Sequence, residues 1–90
     1  MQPSAMPLSV EISLYPLRDE FIPAIKDFID RINGYPGLHV VTNTMSTQIF
    51  GEYGELMGAL QKEMLVSYEQ HGKCIFVCKF INGNLSPGNR

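Results

Sequence analysis

The order in which the spacing of apolar residues changes along the chain constrains its fold more than any other feature. The spacing is two residues from 8 to 15, helical from about 21 to 32, strand-like at 38–43 and 46–53, helical again from 53 to 70, and strand-like from 73 to 81. Two-residue spacing predicts strands and helical spacing predicts helices. The chain therefore predicts the order strand, helix, strand, strand, helix, strand, which is the split βαβ plan.

The first strand is predicted to be buried on one face only. That face carries Leu8, Val10, Ile12 and Leu14.

A helix is predicted after this strand. Asp19 is placed to cap it, and Pro23 falls in its first turn, where the missing N–H has no intrahelical acceptor. The apolar positions of this helix are Phe21, Ile25, Phe28, Ile29 and Ile32.

The short link at 44–46 between the two middle strands predicts an antiparallel hairpin. In the second helix one apolar stripe is expected, and Gly72 is a natural C-terminal stop. The stripe consists of Leu56, Met57, Leu60, Met64 and Tyr68.

The last strand is apolar on both faces, which indicates that something other than the two helices covers its outer side. One face carries Cys74, Phe76, Cys78 and Phe80, and the other carries Ile75, Val77 and Ile81. In a ferredoxin-like α+β fold, a four-stranded antiparallel sheet has both helices on one face. We therefore expect the open face to pack against another copy, as a dimer or tetramer.

Length and composition predict one small soluble domain. Ninety residues with 44% apolar and 18% charged residues supply one core. We expect a flexible N-terminal segment at 1–7, a single domain at 8–81 and a flexible C-terminal tail at 82–90, because both ends lack periodicity. A net charge of −2 argues against nucleic acid as a partner. No apolar run is long enough to span a bilayer, so the expected location is the cytoplasm.

No catalytic or metal-binding pattern is found in the sequence. Cys74 and Cys78 lie on one face of a predicted strand, about 13 Å apart, which is too far for a disulfide. His39 and His71 belong to no triad or metal spacing, and a helix C-terminus suffices to explain His71. We therefore expect no enzyme activity, no metal and no catalytic cofactor.

Polar residues around the predicted hairpin are the remaining candidates for a site. They comprise Thr42, Asn43, Thr44, Ser46, Thr47 and Gln48, interrupted only by Met45. Such residues form turns, and that explanation stays open. Alternatively, they converge with Glu11, Ser13 and Tyr15, on the open face of the first strand, to bind a small heteroaromatic ligand.

Three segments carry a family resemblance that spans most of the chain, from about 8 to 80. The segments VEISLYPL, FIPAIKDFIDRINGYPGLHVVTNTMSTQIFGEY and LMGALQKEM resemble the YkoF-like thiamine/hydroxymethylpyrimidine-binding family. The turn at Pro16 and Leu17 and the hairpin residues Met45, Ser46 and Thr47 also resemble those of small thiamine-binding domains. One departure is that the protein naming the family carries two such domains in tandem, whereas this chain holds one.

The resemblance implies non-enzymatic binding of thiamine or its hydroxymethylpyrimidine half as a ligand, in uptake or handling of the vitamin. A carboxylate, Glu11 or Glu52, would accept a hydrogen bond from the exocyclic amine, while Ser46 or Thr47 would form hydrogen bonds with the ring nitrogens. Tyr15 or Met45 would pack on the flat face of the ring. The alternative is a homo-oligomeric interaction domain with no such ligand.

Overall fold

The computed structural model of the chain describes residues 6–88 and confirms the predicted α+β fold. Its elements are β1 (Pro7–Pro16), α1 (Ile22–Asn33), β2 (His39–Thr42), β3 (Thr47–Glu52), α2 (Tyr53–His71) and β4 (Cys74–Ile81). The strands form one antiparallel sheet in the order β2-β3-β1-β4. Both helices pack on one face, which leaves the other face open, as the ferredoxin-like plan requires.

The core lies between the two helices and the apolar face of β1. Val10 and Ile12 are each 2% exposed, and they pack in one cluster with Phe28 and Ile32 of α1 and Leu56 of α2. Burying each such side chain contributes about 1.5–3 kcal/mol before the entropy of ordering is subtracted. The apolar face predicted for the first strand is therefore confirmed as the centre of the core, but Ser9 on its other face is also buried, at 4% exposure.

The predicted capping role of Asp19 is wrong. Phe21 occupies the N-cap of α1 and makes no side-chain capping hydrogen bond, and Pro23 lies in the first turn as expected. Asp19 precedes the cap by two residues, so its carboxylate does not stand where a capping side chain accepts from the first-turn N–H groups.

The buried face of α2 differs from the predicted stripe. Leu56 and Leu60 are buried as expected, but Met57 and Met64 are only half-buried and Tyr68 is 44% exposed. The other buried positions of the helix are Ala59, Glu63 and Ser67. The buried face of α2 thus includes two polar residues, Glu63 and Ser67, which the spacing of apolar residues does not reveal.

Arg31 of α1 explains why Glu63 and Ser67 are buried. Its Nη1 donates to the Glu63 carboxylate at 2.7 Å and to the Glu63 carbonyl at 2.8 Å, and its Nη2 donates to Ser67 Oγ at 2.7 Å. The hydroxyl of Tyr35 donates to the second Glu63 oxygen at 2.7 Å. Burial raises the pKa of Glu63, but the hydrogen bonds from Tyr35 and Arg31 outweigh it and leave that pKa lowered.

Asp27 joins the same cluster to the end of α2. Its carboxylate lies 2.9 Å from His71 Nε2 and 3.1 Å from Arg31 Nη2. The hydrogen bond with His71 is the largest reason why the pKa of Asp27 is lowered. His71 therefore has a carboxylate hydrogen-bond partner in addition to its position at a helix C-terminus.

The segment after β4 folds back over the sheet. Ser9 Oγ donates to the Gly83 carbonyl at 2.6 Å and accepts from Leu85 N–H at 3.0 Å. These contacts fall within the predicted tail at 82–90. Residues 1–5 and 89–90 of the two predicted terminal segments lie outside the described residues. Within residues 6–88, neither helix has the length and apolar character needed to cross a membrane.

Candidate functional site

A gap in the sheet forms the centre of the candidate site. β1 pairs with β3 only as far as Ile12, which lies opposite Thr47, the first residue of β3. Residues 13–16 of β1 continue beside β4 alone. The link between β2 and β3 at 43–46 therefore stands beside a stretch of β1 to which it is not paired, and side chains from both segments border the space between them.

Helix α1 closes the helix-side entrance of this gap and makes a cleft of about 450 Å³. Its apolar wall is formed by Ile12, Leu14, Phe21, Ile25, Phe28 and Ile29. The opposite rim comes from the hairpin, residues 42–47. Ligand sites for small molecules are typically about 300–1,000 Å³, largely apolar, with a few polar groups that set orientation. The cleft has that size and composition.

Asn43 shapes the hairpin link. Its Oδ1 accepts from the N–H groups of Met45 at 2.8 Å and Ser46 at 3.0 Å, and its own N–H donates to the Ser46 carbonyl at 3.0 Å. Within the part of the chain that the structure describes, the side-chain nitrogen of Asn43, Nδ2, forms no hydrogen bond. Asn43 thus serves as a turn former through its oxygen and keeps a donor at the cleft rim.

Two threonine hydroxyls face each other across the base of the hairpin. Thr42 Oγ1 and Thr47 Oγ1 lie 3.2 Å apart, and Thr47 is 5% exposed. A hydroxyl donates one hydrogen bond and accepts two. When one threonine donates to the other, the pair therefore retains one donor and further acceptor capacity toward the cleft that both residues line.

Glu11 lies on the open face rather than in the cleft. Its carboxylate accepts from Ser46 Oγ at 3.0 Å and pairs with Lys79 Nζ at 3.5 Å. It borders an open-face hollow of about 290 Å³. The hollow and the cleft share four lining residues, which are Ser13, Tyr15, Met45 and Ser46. The gap between β1 and the hairpin therefore joins the two faces of the sheet.

The structure brings most of the predicted site residues together around the gap, with two exceptions. Gln48 pairs with Glu11 on the open face, farther from the cleft. Glu52 stands at the opposite end of β3, where its carboxylate accepts from the N–H groups of Gly54 and Glu55, each at 3.0 Å. These two backbone hydrogen bonds lower the pKa of Glu52. Glu52 therefore caps α2 and does not line the cleft.

The apolar wall of the cleft was not predicted as part of a site. Phe21, Ile25 and Ile29 have the spacing of a core-facing helix, and only their position reveals another role. Phe21 is 49% exposed, and Ile25 and Ile29 are half-buried. Their partner surface is absent where β3 has not yet begun, and a sequence does not show where pairing between strands stops.

No group of three or more His, Cys, Asp or Glu side chains able to hold a metal occurs among residues 6–88. Burial raises the pKa values of the Cys74 and Cys78 thiols. Both are free cysteines, and they lie in β4 away from the cleft.

Comparisons with known proteins show the fold and not a family. No protein-family model matches the chain, and no curated protein matches it. Among solved structures, protein SP2199 of Streptococcus pneumoniae is similar with a TM-score of 0.80 at 22% identity, over 89% of this chain and 90% of that one. A Thermotoga maritima protein provisionally assigned to thiamine biosynthesis or salvage has a TM-score of 0.80 at 14% identity, over 90% of each chain. A Bacillus cereus domain of unknown function, DUF77, has a TM-score of 0.69 at 14% identity, over 92% of this chain and 84% of that one.

Proposed function

We propose that this chain binds the aminopyrimidine half of thiamine, or free hydroxymethylpyrimidine, in the cleft between α1 and the hairpin. The observation that carries the proposal is the cleft itself, in which an apolar, partly aromatic wall faces a rim of hydroxyl and amide groups. The resemblance of the hairpin segment to thiamine-binding domains supports it. The name of the Thermotoga maritima neighbour adds weaker support.

The chemistry of the cleft suits a flat ring with both donors and acceptors. Phe21, which lines the cleft and is 49% exposed, offers aromatic surface for the ring. The hydroxyls of Thr42 and Thr47 accept from an exocyclic amine and donate to a ring nitrogen. Glu11 stands on the far side of the gap, where its charge favours a cationic thiazolium, and Lys79 partly offsets that charge at 3.5 Å.

Binding without catalysis is part of this proposal. A nucleophile requires an activating base within hydrogen-bond reach. Among the described residues, His39 contacts the Phe50 ring and His71 contacts Asp27, so neither histidine is placed beside a hydroxyl or thiol of the cleft. The proposed role is transport, storage or handling of the vitamin in the cytoplasm.

Isothermal titration calorimetry with thiamine and hydroxymethylpyrimidine tests the proposal. Thr47→Val removes one hydroxyl of the facing pair and is expected to weaken binding of both ligands. Glu11→Gln is expected to weaken thiamine binding more than hydroxymethylpyrimidine binding, because only thiamine carries the cationic ring. Glu52→Gln is the matched control, since the same change is made at the far end of β3.

Ligand-dependent stabilisation provides a second measurement. A ligand at 100 times its dissociation constant stabilises the folded state by about 2.7 kcal/mol. The absence of any thermal shift with thiamine, its phosphates or hydroxymethylpyrimidine would contradict the proposal. Equal weakening by Glu11→Gln and Glu52→Gln would contradict the placement of the ligand at the gap.

A second candidate function is homo-oligomerisation through the open face. The observation that favours it is the exposure of four apolar side chains there: Tyr15 at 54%, Ile75 and Ile81 at 49%, and Val77 at 47%. Such a surface is typical of an interface between proteins. Sedimentation or light scattering across a range of concentrations tests it, and a chain that stays monomeric throughout would exclude it.

A further inference from the structure

Exposure is uneven across the open face of the sheet. Tyr15, Ile75 and Val77, toward one end of the sheet, are 47–54% exposed. At the opposite end Ile81 of β4 is also 49% exposed, whereas Ser9 of β1 and its partner Phe50 of β3 are 4% and 5% exposed. All six side chains project to the face away from the helices. Something therefore covers the face over Ser9 and Phe50 and leaves the rest of it exposed.

The cover is the segment that follows β4, residues 83–87, which we name the strap. Ser9 Oγ donates to the Gly83 carbonyl and accepts from Leu85 N–H, so a single hydroxyl holds the backbone of the strap at two points. Leu85 and Pro87 border a hollow with Phe50, and Ser86 borders the neighbouring hollow beside His39. The strap thus crosses from β4 over β1 toward β2.

The strap rests on the face without being part of the core. Leu85, its large apolar side chain, is 47% exposed. Ser86 donates twice to Asn84 within the strap itself. No strand of the sheet pairs with these residues. The two hydrogen bonds at Ser9 exchange for hydrogen bonds to water when the strap lifts, so their net contribution to holding it is small.

Release of the strap would extend the exposed apolar surface along the length of the sheet. Phe50 would then join Ile81, which is already 49% exposed, in continuing the surface formed by Val77, Ile75 and Tyr15. In the middle of this face Glu11 and Lys79 are direct cross-strand partners, with their charged groups 3.5 Å apart. A two-fold rotation places Lys79 of one copy over Glu11 of the other and Glu11 over Lys79, so the pattern is complementary to itself.

We propose that the open face is a docking surface for a second copy of this chain and that the strap holds the second copy off. The strap occupies the Ser9 and Phe50 end of the face, and its release allows two sheets to pack face to face. The inference builds on the second candidate function. It can be tested apart from the proposed ligand, because no residue of the strap lines the cleft.

Sedimentation velocity over a range of concentrations tests this proposal with four chains. They are the unaltered chain, a chain that stops after Asn82, Ser9→Ala and Ser13→Ala. Ser13 lies on the same face of β1 but pairs with Val77 and makes no hydrogen bond with the strap among the described contacts. We expect the shortened chain and Ser9→Ala to self-associate at least tenfold more tightly than the unaltered chain and Ser13→Ala.

Two further measurements identify the surface. A peptide of residues 82–88 added in excess is expected to weaken association of the shortened chain. Lys79→Glu in the shortened chain is expected to weaken it as well, because that change places two carboxylates opposite two others. Equal dissociation constants for all four chains would overturn the proposal, as would association of the shortened chain that neither the peptide nor Lys79→Glu affects.

Folding and ligand binding are measured separately so that each failure has one meaning. Circular dichroism establishes whether each chain is folded. If the shortened chain does not fold, the comparison of Ser9→Ala with the unaltered chain and Ser13→Ala tests the proposal. Thiamine titration of Ser9→Ala is expected to match the unaltered chain. Loss of thiamine binding in every chain, with strap-dependent association intact, would contradict the proposed ligand and leave the strap supported.

Discussion

Replacing Arg31 with Met removes the only cation in contact with a buried carboxylate, as far as the described residues show. The Arg31 and Glu63 side chains are 19% and 8% exposed, and Nη1 of Arg31 lies 2.7 Å from Glu63 Oε1. After the change, the carboxylate keeps the Tyr35 hydroxyl at 2.7 Å as its remaining side-chain donor. Met retains much of the apolar stem of Arg31, so lost packing contributes little.

Removing one partner of a buried ion pair costs about 3–5 kcal/mol. Arg31 is partly exposed and Tyr35 still donates, so we expect the lower end, about 3 kcal/mol. A ninety-residue domain has a free energy of unfolding of about 5–13 kcal/mol at 0.05–0.15 kcal/mol per residue. Arg31→Met is therefore expected to remove a large fraction of the total, without unfolding the chain at room temperature.

The effect should depend on pH in a defined direction. In the unaltered chain the pKa of Glu63 is lowered, so its charged form adds stability above the unfolded pKa, and that stability is lost as pH falls through the folded pKa. Without Arg31, burial dominates and raises this pKa, so the ionised group destabilises the fold at neutral pH. Protonation relieves the penalty, and the cost of Arg31→Met should shrink as pH falls toward about 4.

Urea denaturation at neutral pH and near pH 4 measures both effects. Arg31→Met combined with Glu63→Leu removes the whole pair, and we expect it to be more stable than Arg31→Met alone by about 2 kcal/mol at neutral pH. A cost that is the same at both pH values would refute the argument. So would a double variant that is less stable than the single one.

Four further substitutions test other parts of the fold. Glu52→Gln weakens the cap of α2 and should lower the melting temperature at neutral pH but not in acid, because the lowered pKa of Glu52 means that its contribution is lost as pH falls. Gly72→Ala should cost about 1–3 kcal/mol in urea denaturation, since Gly72 has φ 79° and ψ −149° with open space around it, whereas Gly58→Ala within α2 should stabilise by about 0.5–1 kcal/mol. Gly51→Ala should cost about 1–3 kcal/mol by the same assay, because an added Cβ would lie 2.5 Å from the buried Leu38 side chain.

The periodicity of the sequence was sufficient to predict the order of the strands and helices and the fold class. Alternation in β1, helical spacing in α1 and the short link before β3 each reflect local geometry, since strands repeat every two residues and helices every 3.6. The order of the six elements then restricts the topology to few possibilities. The apolar outer face of β4 was likewise visible as an alternation that no helix accounts for.

The contacts within α2 and at its start show where local patterns fail. Met57, Met64 and Tyr68 satisfy helical spacing, yet the helix turns Glu63 and Ser67 inward because Arg31 pairs with both. In the sequence, Glu52 is one more polar residue close to the hairpin. Its position at the far end of β3 gives it backbone donors from the first turn of α2.

The sequence by itself determined the order of strands and helices, the apolar face of β1 and the polar character of the hairpin, because each depends on residues close together along the chain. Tertiary structure alone decided that β3 begins opposite Ile12 and so leaves a cleft, to whose wall α1 contributes Phe28. It also decided that Ser9 forms hydrogen bonds with the strap. These features depend on where separate elements start and stop relative to one another. Such offsets follow from packing over long sequence separations and leave no periodic trace in the sequence.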